Sequence, residues 1–549
     1  MPGGTPARHR IKGNPWVVLI AMCLGFFMIL LDTTIVTIAI PAISDGLNAS
    51  LDDILWIQSG YVLVYAVLLI TAGRLGDMFG AKSIYLIGLV VFVVASAACG
   101  FASNPDQLIA ARVVQGVGGA LLSPQSLAII TRIFPAERRG VAFGIWGAVA
   151  GVAAVAGPTL GGLLITYASW EWIFYLNVPI GIIAFALSAW TVPGRGEQRR
   201  HHFDIVGTVL VSVALFLITY GLIEGERYHW GTIRGFVTIP LVIGAGVVVL
   251  IAFLLTQYYN RREPLVPFSI LRDRNFSLMN LVSLAMSFGM LGMFLPLTIY
   301  LQSVLGLSAF DAGLTLAPMP LVSLFIAPFT GRLADRIGGK YILLTGLVLF
   351  GTGMAYLIAV AEVHSSRLTF LPALLIAGVG MGGIFAPLTT EAMRGIPPRL
   401  SGAASGVFNT TRQLGAVIGT AAVGALLSAQ LSGKLTQSAQ QHAQALPPAF
   451  RSRFVDGFSH VSGSLDVGTH HPSPALPPGI PAQVADQIRA LAVDTFRVAF
   501  VDAMKPTLLL PIAVLALAAV SCLFLKGRRP TPPETSADET APAQARPPH

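Results

Sequence analysis

The chain has 549 residues, of which 54% are hydrophobic and only 11% charged, and its formal net charge is +9. With a mean hydropathy of +0.72, it carries more apolar surface than a water-soluble fold can bury, which excludes a soluble enzyme or binding domain. Its basic residues lie in short gaps between long apolar runs, and that distribution argues against a nucleic-acid partner.

Fourteen apolar runs are long enough for membrane-spanning helices, which need about 20 residues each. Their approximate bounds are 16–40, 54–73, 83–102, 107–130, 141–166, 173–192, 204–223, 235–258, 276–300, 312–330, 341–361, 368–390, 403–429 and 506–526. A cleaved signal peptide is the alternative for the first run, but 16–40 is long for one, so we expect it to be retained.

Lysine and arginine fall almost entirely in every second gap between the spans. The positive-inside rule therefore predicts a multi-pass protein of the cell membrane (inner or plasma), with this side and both termini in the cytoplasm. We call this side the basic face.

One decapeptide occurs twice in the chain, as GRLGDMFGAK from Gly73 and as GRLADRIGGK from Gly331. Each copy fills a short polar gap between two apolar runs, and the apolar residues that follow the two copies also match. Such a repeat indicates duplicated helix bundles, an arrangement typical of membrane transporters. The spans near 204–223 and 235–258 have no counterpart, so we predict that they are inserted between the halves.

The predicted fold is an all-α polytopic membrane protein with two six-helix bundles and two inserted helices. The predicted domains are a cytoplasmic tail (1–15), an N-terminal bundle (16–192), a linker with the two extra spans (193–275), a C-terminal bundle (276–526) and a disordered cytoplasmic tail (527–549). The C-terminal bundle includes a long outer loop, 431–505. Its Gly-, Pro- and Ser-rich middle predicts irregular structure, and the periodicity of 482–503 predicts an amphipathic surface helix.

Asp32 and Arg112 lie inside the first and fourth spans. A charge at that depth is costly, so an intramembrane carboxylate is a functional candidate by default. Because low dielectric favours the protonated form of a carboxyl group, Asp32 is a candidate proton carrier; the structural alternative is that it only pairs with a neighbouring helix. Arg112 cannot lose its charge. It either positions Asp32 or the proton, or pins two helices together, and the sequence leaves both interpretations open.

The repeated loop supplies a second candidate. Asp77 and Asp335 occupy the same offset in the two copies. Because a helix N-terminus stabilises a carboxylate, each Asp is predicted to latch one half to a helix of the other half and to act as a gate. An ordinary helix cap is the alternative, but it does not account for two matched copies. The basic residues of this predicted gate are Arg74, Lys82, Arg336 and Lys340.

The fifth span contains a third pattern, GIWGAVAGVAAVAGPTLGGLL. Small residues permit close helix contact, and proline can kink a helix. The residues that make this span thin and bendable are Gly151, Gly157, Pro158, Gly161 and Gly162.

Together these motifs resemble the major facilitator superfamily, and within it the 14-spanner drug:proton antiporters (the EmrB/QacA-like group). The two decapeptides resemble the superfamily loop signature, and LIAARVVQGVGGA, GVAAVAGPTLGG, LDTTIVTIAIPAI, WEWIFYLNVPIG and SGVFNTTRQLGAVIG resemble motifs of the fourth, fifth, first, sixth and thirteenth helices. The resemblance covers roughly residues 15–430. It implies the major facilitator fold, proton-coupled export by alternating access, Asp32 and Arg112 in proton coupling, and Asp77 in the gate. Met78 and Ala81 depart from the family, where basic residues are usual at these positions.

Aromatic and methionine side chains bind apolar cations adaptably. The candidates for lining a substrate cavity, for each of which helix packing is the alternative, are Tyr61, Tyr65, Trp146, Phe288, Met290, Met293 and Phe294. Arg412, in the thirteenth span, is either a counterpart of Arg112 or a structural residue near the cytoplasmic end. The sequence has no Walker loop and no metal-ligand spacing, so we expect no enzyme activity, no cofactor and no metal, with the proton gradient as the energy source.

The sequence therefore favours a monomeric exporter that exchanges amphipathic or cationic small molecules for protons across the lipid bilayer. An exporter of a lipid or cell-envelope intermediate is the alternative, motivated by the long outer loop. A non-transporting membrane receptor is the third hypothesis.

Overall fold

The computed structural model describes residues 14–49, 51–135, 138–194, 204–225, 227–228, 230–260, 264–397, 400–459 and 482–525. Within these ranges the chain is almost wholly helical, with one short β-hairpin. Both predicted tails, the middle of the outer loop and parts of the linker lie largely outside the described residues.

The N-terminal half follows the first six predicted spans. Its helices are α1 (Pro15–Leu47), α2 (Leu51–Phe79), α3 (Ala81–Gly100), α4 (Pro105–Ile133), α5 (Arg139–Tyr167), α6 (Trp172–Tyr175) and α7 (Asn177–Thr191). The sixth span is thus divided between α6 and α7, which meet at Leu176.

The two inserted spans form a helical pair. Helices α8 (Ile205–Glu224) and α9 (Ile239–Tyr259) pack chiefly on each other, and α8 also contacts α2. Between them lies an antiparallel hairpin of β1 (Thr232–Arg234) and β2 (Val237–Thr238).

The C-terminal half follows the remaining six spans and the outer loop. Its elements are α10 (Phe268–Arg272), α11 (Arg274–Ile299), a π-helical turn (Tyr300–Val304), α12 (Ala309–Leu316), α13 (Pro318–Ile337), α14 (Lys340–Val360), a 3-10 turn (Arg367–Phe370), α15 (Leu371–Gly382), α16 (Phe385–Met393), α17 (Ser401–Ala443), α18 (Pro448–Ser459), α19 (Ala482–Thr507) and α20 (Leu509–Leu523).

Thirteen helical stretches of the described chain are long and apolar enough to cross a membrane. Helix α5, with 29 residues, matches the one remaining predicted span. The fold class predicted from the sequence, a polytopic all-α protein, is therefore confirmed.

Several spans begin at a side chain that caps the helix. Asn14 accepts from the backbone N–H of Trp16, and Asn104 accepts from that of Gln107, with a proline at the start of each helix. Asp204, Thr238 and Asp273 cap α8, α9 and α11 in the same way. These caps satisfy backbone donors that the helix itself leaves unpaired, and so fix where each span starts.

The described parts of the outer loop, 431–459 and 482–505, are more helical than the sequence predicts. Helix α17 continues past residue 429 to Ala443, and its buried residues recur every fourth position as Leu431, Leu435 and Ala439. The predicted helix of 482–503 is present as α19, but it packs on α17 and is not merely a surface helix. Its buried face, with Ile488, Ala492, Thr495 and Ala499, explains this difference.

The two halves meet along two matched helix pairs, α2 with α17 and α5 with α13. Each pair crosses at glycines. A methyl group on Gly73 would lie within van der Waals overlap of the Gly402 carbonyl oxygen, and Gly140 and Gly331 are related in the same way. Gly73 and Gly331 are the first residues of the two decapeptides, so the repeated loop begins where the halves touch.

Candidate functional site

Asp32 lies inside the N-terminal half, on α1, with no exposed surface. Its carboxylate accepts from Arg112 Nη1 at 2.5 Å and from Gln115 Nε2 at 2.8 Å, both on α4. Asn177 Nδ2, on α7, donates to the same carboxylate at 3.1 Å. Three helices therefore converge on one ionisable group.

Arg112 is equally buried, with 1% of its surface exposed. Besides Asp32, it donates to Gln115 Oε1 at 2.7 Å and to the Ile57 carbonyl oxygen at 3.2 Å. Its guanidinium carbon also lies 4.4 Å from the centroid of the Tyr61 ring. A buried arginine needs this many partners because it cannot shed its charge.

The network extends to residues that sequence reasoning missed. Asn177 Nδ2 also lies 3.0 Å from Ser96 Oγ, which donates to the Phe174 carbonyl oxygen. Gln115, Asn177 and Ser96 are polar residues inside predicted spans. Their polarity in an apolar run was the sequence signal that could have identified them. The helix faces that bring them to Asp32 were not visible in the sequence.

Asp77 reaches from the first decapeptide to the other half. Its two carboxylate oxygens accept from the backbone N–H groups of Gly402 at 2.9 Å and Ala403 at 2.8 Å. These are the second and third residues of α17. A carboxylate at a helix N-terminus is favoured by both the unpaired donors and the helix dipole.

Asp335 makes the matching contact from the second decapeptide. Its Oδ1 accepts from the backbone N–H of Gly140, the second residue of α5, at 2.9 Å. Each half therefore presents one Asp and one helix N-terminus to the other half. The assignment of this pair of contacts as a gate remains a prediction.

The lysines of the two decapeptides act within their own halves. Lys82 Nζ donates to the carbonyl oxygens of Ala189 and Val192 at the end of α7. Lys340 Nζ donates in the same way to Leu523 and Leu525 at the end of α20. A cation at a helix C-terminus complements the dipole. The first copy's Arg74 is buried, whereas Arg336 of the second is exposed.

The glycines of α5 face two different neighbours. Gly151 lies against Pro320 of the C-terminal half, whereas Gly157 lies against Thr34 of α1 and Gly161 against Ile35 of α1. A methyl group on Gly162 would meet no heavy atom of the described chain within 4 Å. The sequence predicts that Pro158 can kink this span. Helix α5 runs through position 158 without interruption.

The predicted cavity residues are distributed over both halves. Tyr61 and Tyr65 are buried on α2, with ring centroids 6.0 Å apart. Trp146 is buried on α5, stacked on Phe26. On α11, Phe288 and Met293 are buried, Met290 is half-buried and Phe294 is 50% exposed.

Arg412 lies at the interface between the halves. It belongs to α17, and its guanidinium lies beside the stacked rings of Phe26 and Trp146 in the N-terminal half. It is half-buried, and Asn409 is its hydrogen-bond partner.

Two bundles that touch through matched helix pairs, with an ion pair buried in one of them, are an arrangement typical of membrane transporters. The model of the Major Facilitator Superfamily matches residues 22–420. The chain belongs to this superfamily, and the resemblance predicted from the motifs is confirmed.

Two of the similar proteins are named as resistance or export proteins. The chain is 32% identical to the tetracenomycin C resistance and export protein of Streptomyces glaucescens, over 98% of this chain and 95% of that protein. It is 32% identical to the multidrug resistance protein Stp of Mycobacterium tuberculosis, over 93% and 91%. An uncharacterized MFS-type transporter of Mycobacterium tuberculosis is 43% identical over 78% of this chain and 74% of its own.

Solved structures share the fold at low sequence identity. The proton:xylose symporter XylE aligns with a TM-score of 0.54 and 13% identity, over 82% of this chain and 94% of its own. The human organic anion transporter MFSD10 aligns with a TM-score of 0.54 and 12% identity, over 93% and 100%.

Proposed function

We propose that this transporter exports amphipathic small molecules from the cytoplasm in exchange for protons, by alternating access between its two halves. The observation that carries the proposal is the Asp32–Arg112 ion pair, buried within a bundle of membrane helices. The names of the tetracenomycin C and multidrug resistance relatives support the outward direction of transport.

Asp32 is the proposed proton carrier. When its carboxylate takes up a proton, Arg112 keeps Gln115 and the Ile57 carbonyl but loses its charged partner. An uncompensated buried charge is costly, so protonation favours an arrangement in which water reaches Arg112. One proton that moves inward through a potential of 100 mV supplies about 2.3 kcal/mol for this change.

The two latches are the proposed gate. Asp77 and Asp335 hold the halves together on the basic face through N–H groups at helix N-termini. When the halves separate, both carboxylates become hydrated, so the contacts break without leaving a buried charge. Such contacts give two discrete states rather than a continuous range of openings.

Purified protein in proteoliposomes with an imposed pH gradient tests this function. We expect substrate movement, within a panel of amphipathic compounds, that stops when a protonophore collapses the gradient. Asp32→Asn should abolish gradient-driven transport, whereas Asp486→Asn, which removes an exposed carboxylate on α19, should retain it. Undiminished gradient-driven transport by Asp32→Asn would remove Asp32 from the mechanism.

A lipid or cell-envelope intermediate is the second candidate cargo. The outer helices favour this cargo. A connection between two spans needs only a few residues, yet here α18 and α19 pack on the extension of α17 and form an additional layer. Deletion of 463–481 should then impair the cell envelope more than the export of small dyes. An equal effect on both would argue against this cargo.

A further inference from the structure

The contact between Arg412 and two aromatic rings crosses the interface between the halves. The guanidinium carbon lies 5.7 Å from the ring centroid of Phe26 and 5.9 Å from that of Trp146. The two rings are stacked on each other, with centroids 3.9 Å apart and planes inclined by 17°. We call these three residues the aromatic–arginine cluster.

The cluster lies inside the predicted span 403–429 and not at the start of α17. Arg412 follows the start of α17 at Ser401 by eleven residues, which places its Cα about 17 Å along the helix. The hydrocarbon core of a bilayer is about 30 Å thick. At this distance from the start of α17, the Arg412 side chain is too short to reach the cytoplasmic end of the helix, which argues against a purely snorkelling role.

Arg412 has no acidic partner within ion-pair distance among the described residues. Its Nη2 donates to Asn409 Oδ1 at 3.1 Å, and the same oxygen lies 3.3 Å from Ser123 Oγ in the other half. An amide oxygen and the sides of two stacked rings thus surround a full positive charge. By contrast, Arg112 has a carboxylate directly beside it.

The charge balance of the membrane interior is therefore positive. Away from their ends, the fourteen spans contain three charged residues, Asp32, Arg112 and Arg412. The first two form an ion pair and compensate each other. Arg412 therefore supplies the uncompensated positive charge at the interface between the halves.

Trp146 provides an independent observation that points to a ligand. It is 2% exposed, and its indole N–H has no acceptor among the described residues. A buried donor without a partner is destabilising, so this N–H favours any acceptor that enters the cluster. Both polar groups of the cluster are donors, and the rest of its surface is aromatic.

We propose that the aromatic–arginine cluster binds planar aromatic molecules that carry an ionised acidic group, and that Arg412 selects for the negative charge. The acidic group of the ligand accepts from the guanidinium and from the Trp146 N–H, and its aromatic plane lies beside the Phe26–Trp146 stack. A cationic ligand would instead meet an uncompensated like charge. The proposal rests on the export function above and defines its substrate class.

Three anthracene probes share one ring system and differ in charge: the carboxylate, the neutral alcohol and the ammonium analogue. Their binding to the full-length protein in nanodiscs of zwitterionic lipid is followed by fluorescence anisotropy. Because a hydrogen bond to a charged group contributes about 1.5–3 kcal/mol, the carboxylate should bind at least about tenfold more tightly than the other two probes.

Variants separate charge selection from a structural role of Arg412. Arg412→Gln should lower the affinity for the carboxylate to that for the alcohol and leave the alcohol unaffected, whereas Arg412→Lys should retain most of the preference. Trp146→Phe keeps a ring but removes the N–H, and should weaken carboxylate binding a few-fold. Arg489→Gln is the matched control, since it removes an exposed arginine on α19 and should change nothing.

Three results would overturn the proposal: ammonium binding as tight as that of the carboxylate, a carboxylate preference that survives Arg412→Gln, or no saturable binding of any probe. Binding in nanodiscs requires no proton gradient. A failure here therefore leaves proton-coupled export standing, and a failure of coupled transport leaves the measured charge preference intact.

Discussion

The two halves of the molecule use the repeated loop in the same way but fill their membrane interiors differently. In each half, the loop's Asp meets a helix N-terminus of the other half, and its Lys caps the last helix of its own half. Among the described residues, only the N-terminal half contains a buried ion pair between two spans. The repeated segment thus contributes one matched contact to the other half from each half, whereas the ionisable site belongs to unrepeated sequence.

The largest effect should come from breaking the ion pair that distinguishes the N-terminal half. Asp32→Asn leaves Arg112 buried beside neutral groups only, and loss of one member of a buried pair costs on the order of 3–5 kcal/mol. Arg112→Met should cost less, because a carboxyl group can become neutral by taking up a proton and a guanidinium cannot. Thermal unfolding of the purified variants in detergent measures both.

The double variant Asp32→Asn/Arg112→Met sharpens this test. If the two charges compensate each other, it should be more stable than Asp32→Asn alone. Losses that simply add would show that the pair contributes no coupling energy, and the contrast between the halves would lose its physical basis.

The second effect concerns the likeness of the two latches. Asp77 accepts from two backbone N–H groups of α17, and Asp335 accepts from the backbone N–H of Gly140 on α5. A hydrogen bond to a charged group contributes about 1.5–3 kcal/mol. Asp77→Asn and Asp335→Asn should therefore each shift the protein toward the separated state.

Distances between spin labels measure this shift. Trp16 and Tyr341 are exposed residues of opposite halves near the basic face, and the described native cysteines are all buried, so labels at Trp16→Cys and Tyr341→Cys report on separation of the halves. Asp311→Asn removes an ion pair with Arg367 inside one half and serves as the control. A shift for only one of the two variants would show that the two latches are not equivalent.

The smallest effect should come from the packing of α5 beside the ionisable site. A methyl group on Gly157 would overlap Thr34 Oγ1, only two residues from Asp32 along α1. Overpacking of this kind costs about 1–3 kcal/mol. Gly157→Ala should lower the unfolding temperature and coupled transport, whereas Gly162→Ala should be neutral or slightly stabilising. Equal effects of the two alanines would indicate that helix flexibility, and not contact with α1, explains the glycines.

Hydropathy predicted the spans well, because a helix in lipid must present an apolar surface whatever it packs against. It failed at the outer end of α17, where Leu431, Leu435 and Ala439 continue the helix among polar residues. Their spacing of four was visible, but the partner that buries them, α19, follows after a long connection. The division of the sixth span at Leu176 did have a sequence signal, because Pro179 has no N–H to donate to the Tyr175 carbonyl oxygen.

For the candidate site, the sequence identified Asp32 and Arg112 because charges inside apolar runs are rare and costly. It did not identify Gln115 or Asn177 as their partners, since a polar amide within a span has many uses. The role of Arg412 also stayed open, because its neighbours Phe26 and Trp146 come from two helices of the other half.

By itself, the sequence determined which segments cross the membrane, that the chain contains two related halves, and which charges lie at membrane depth. Those properties depend on local hydropathy and on residue identity alone. Only the tertiary structure decided that one arginine is paired with a carboxylate while the other faces two aromatic rings. The reason is that charge compensation depends on distances between helices, and no single helix specifies which of its neighbours will face it.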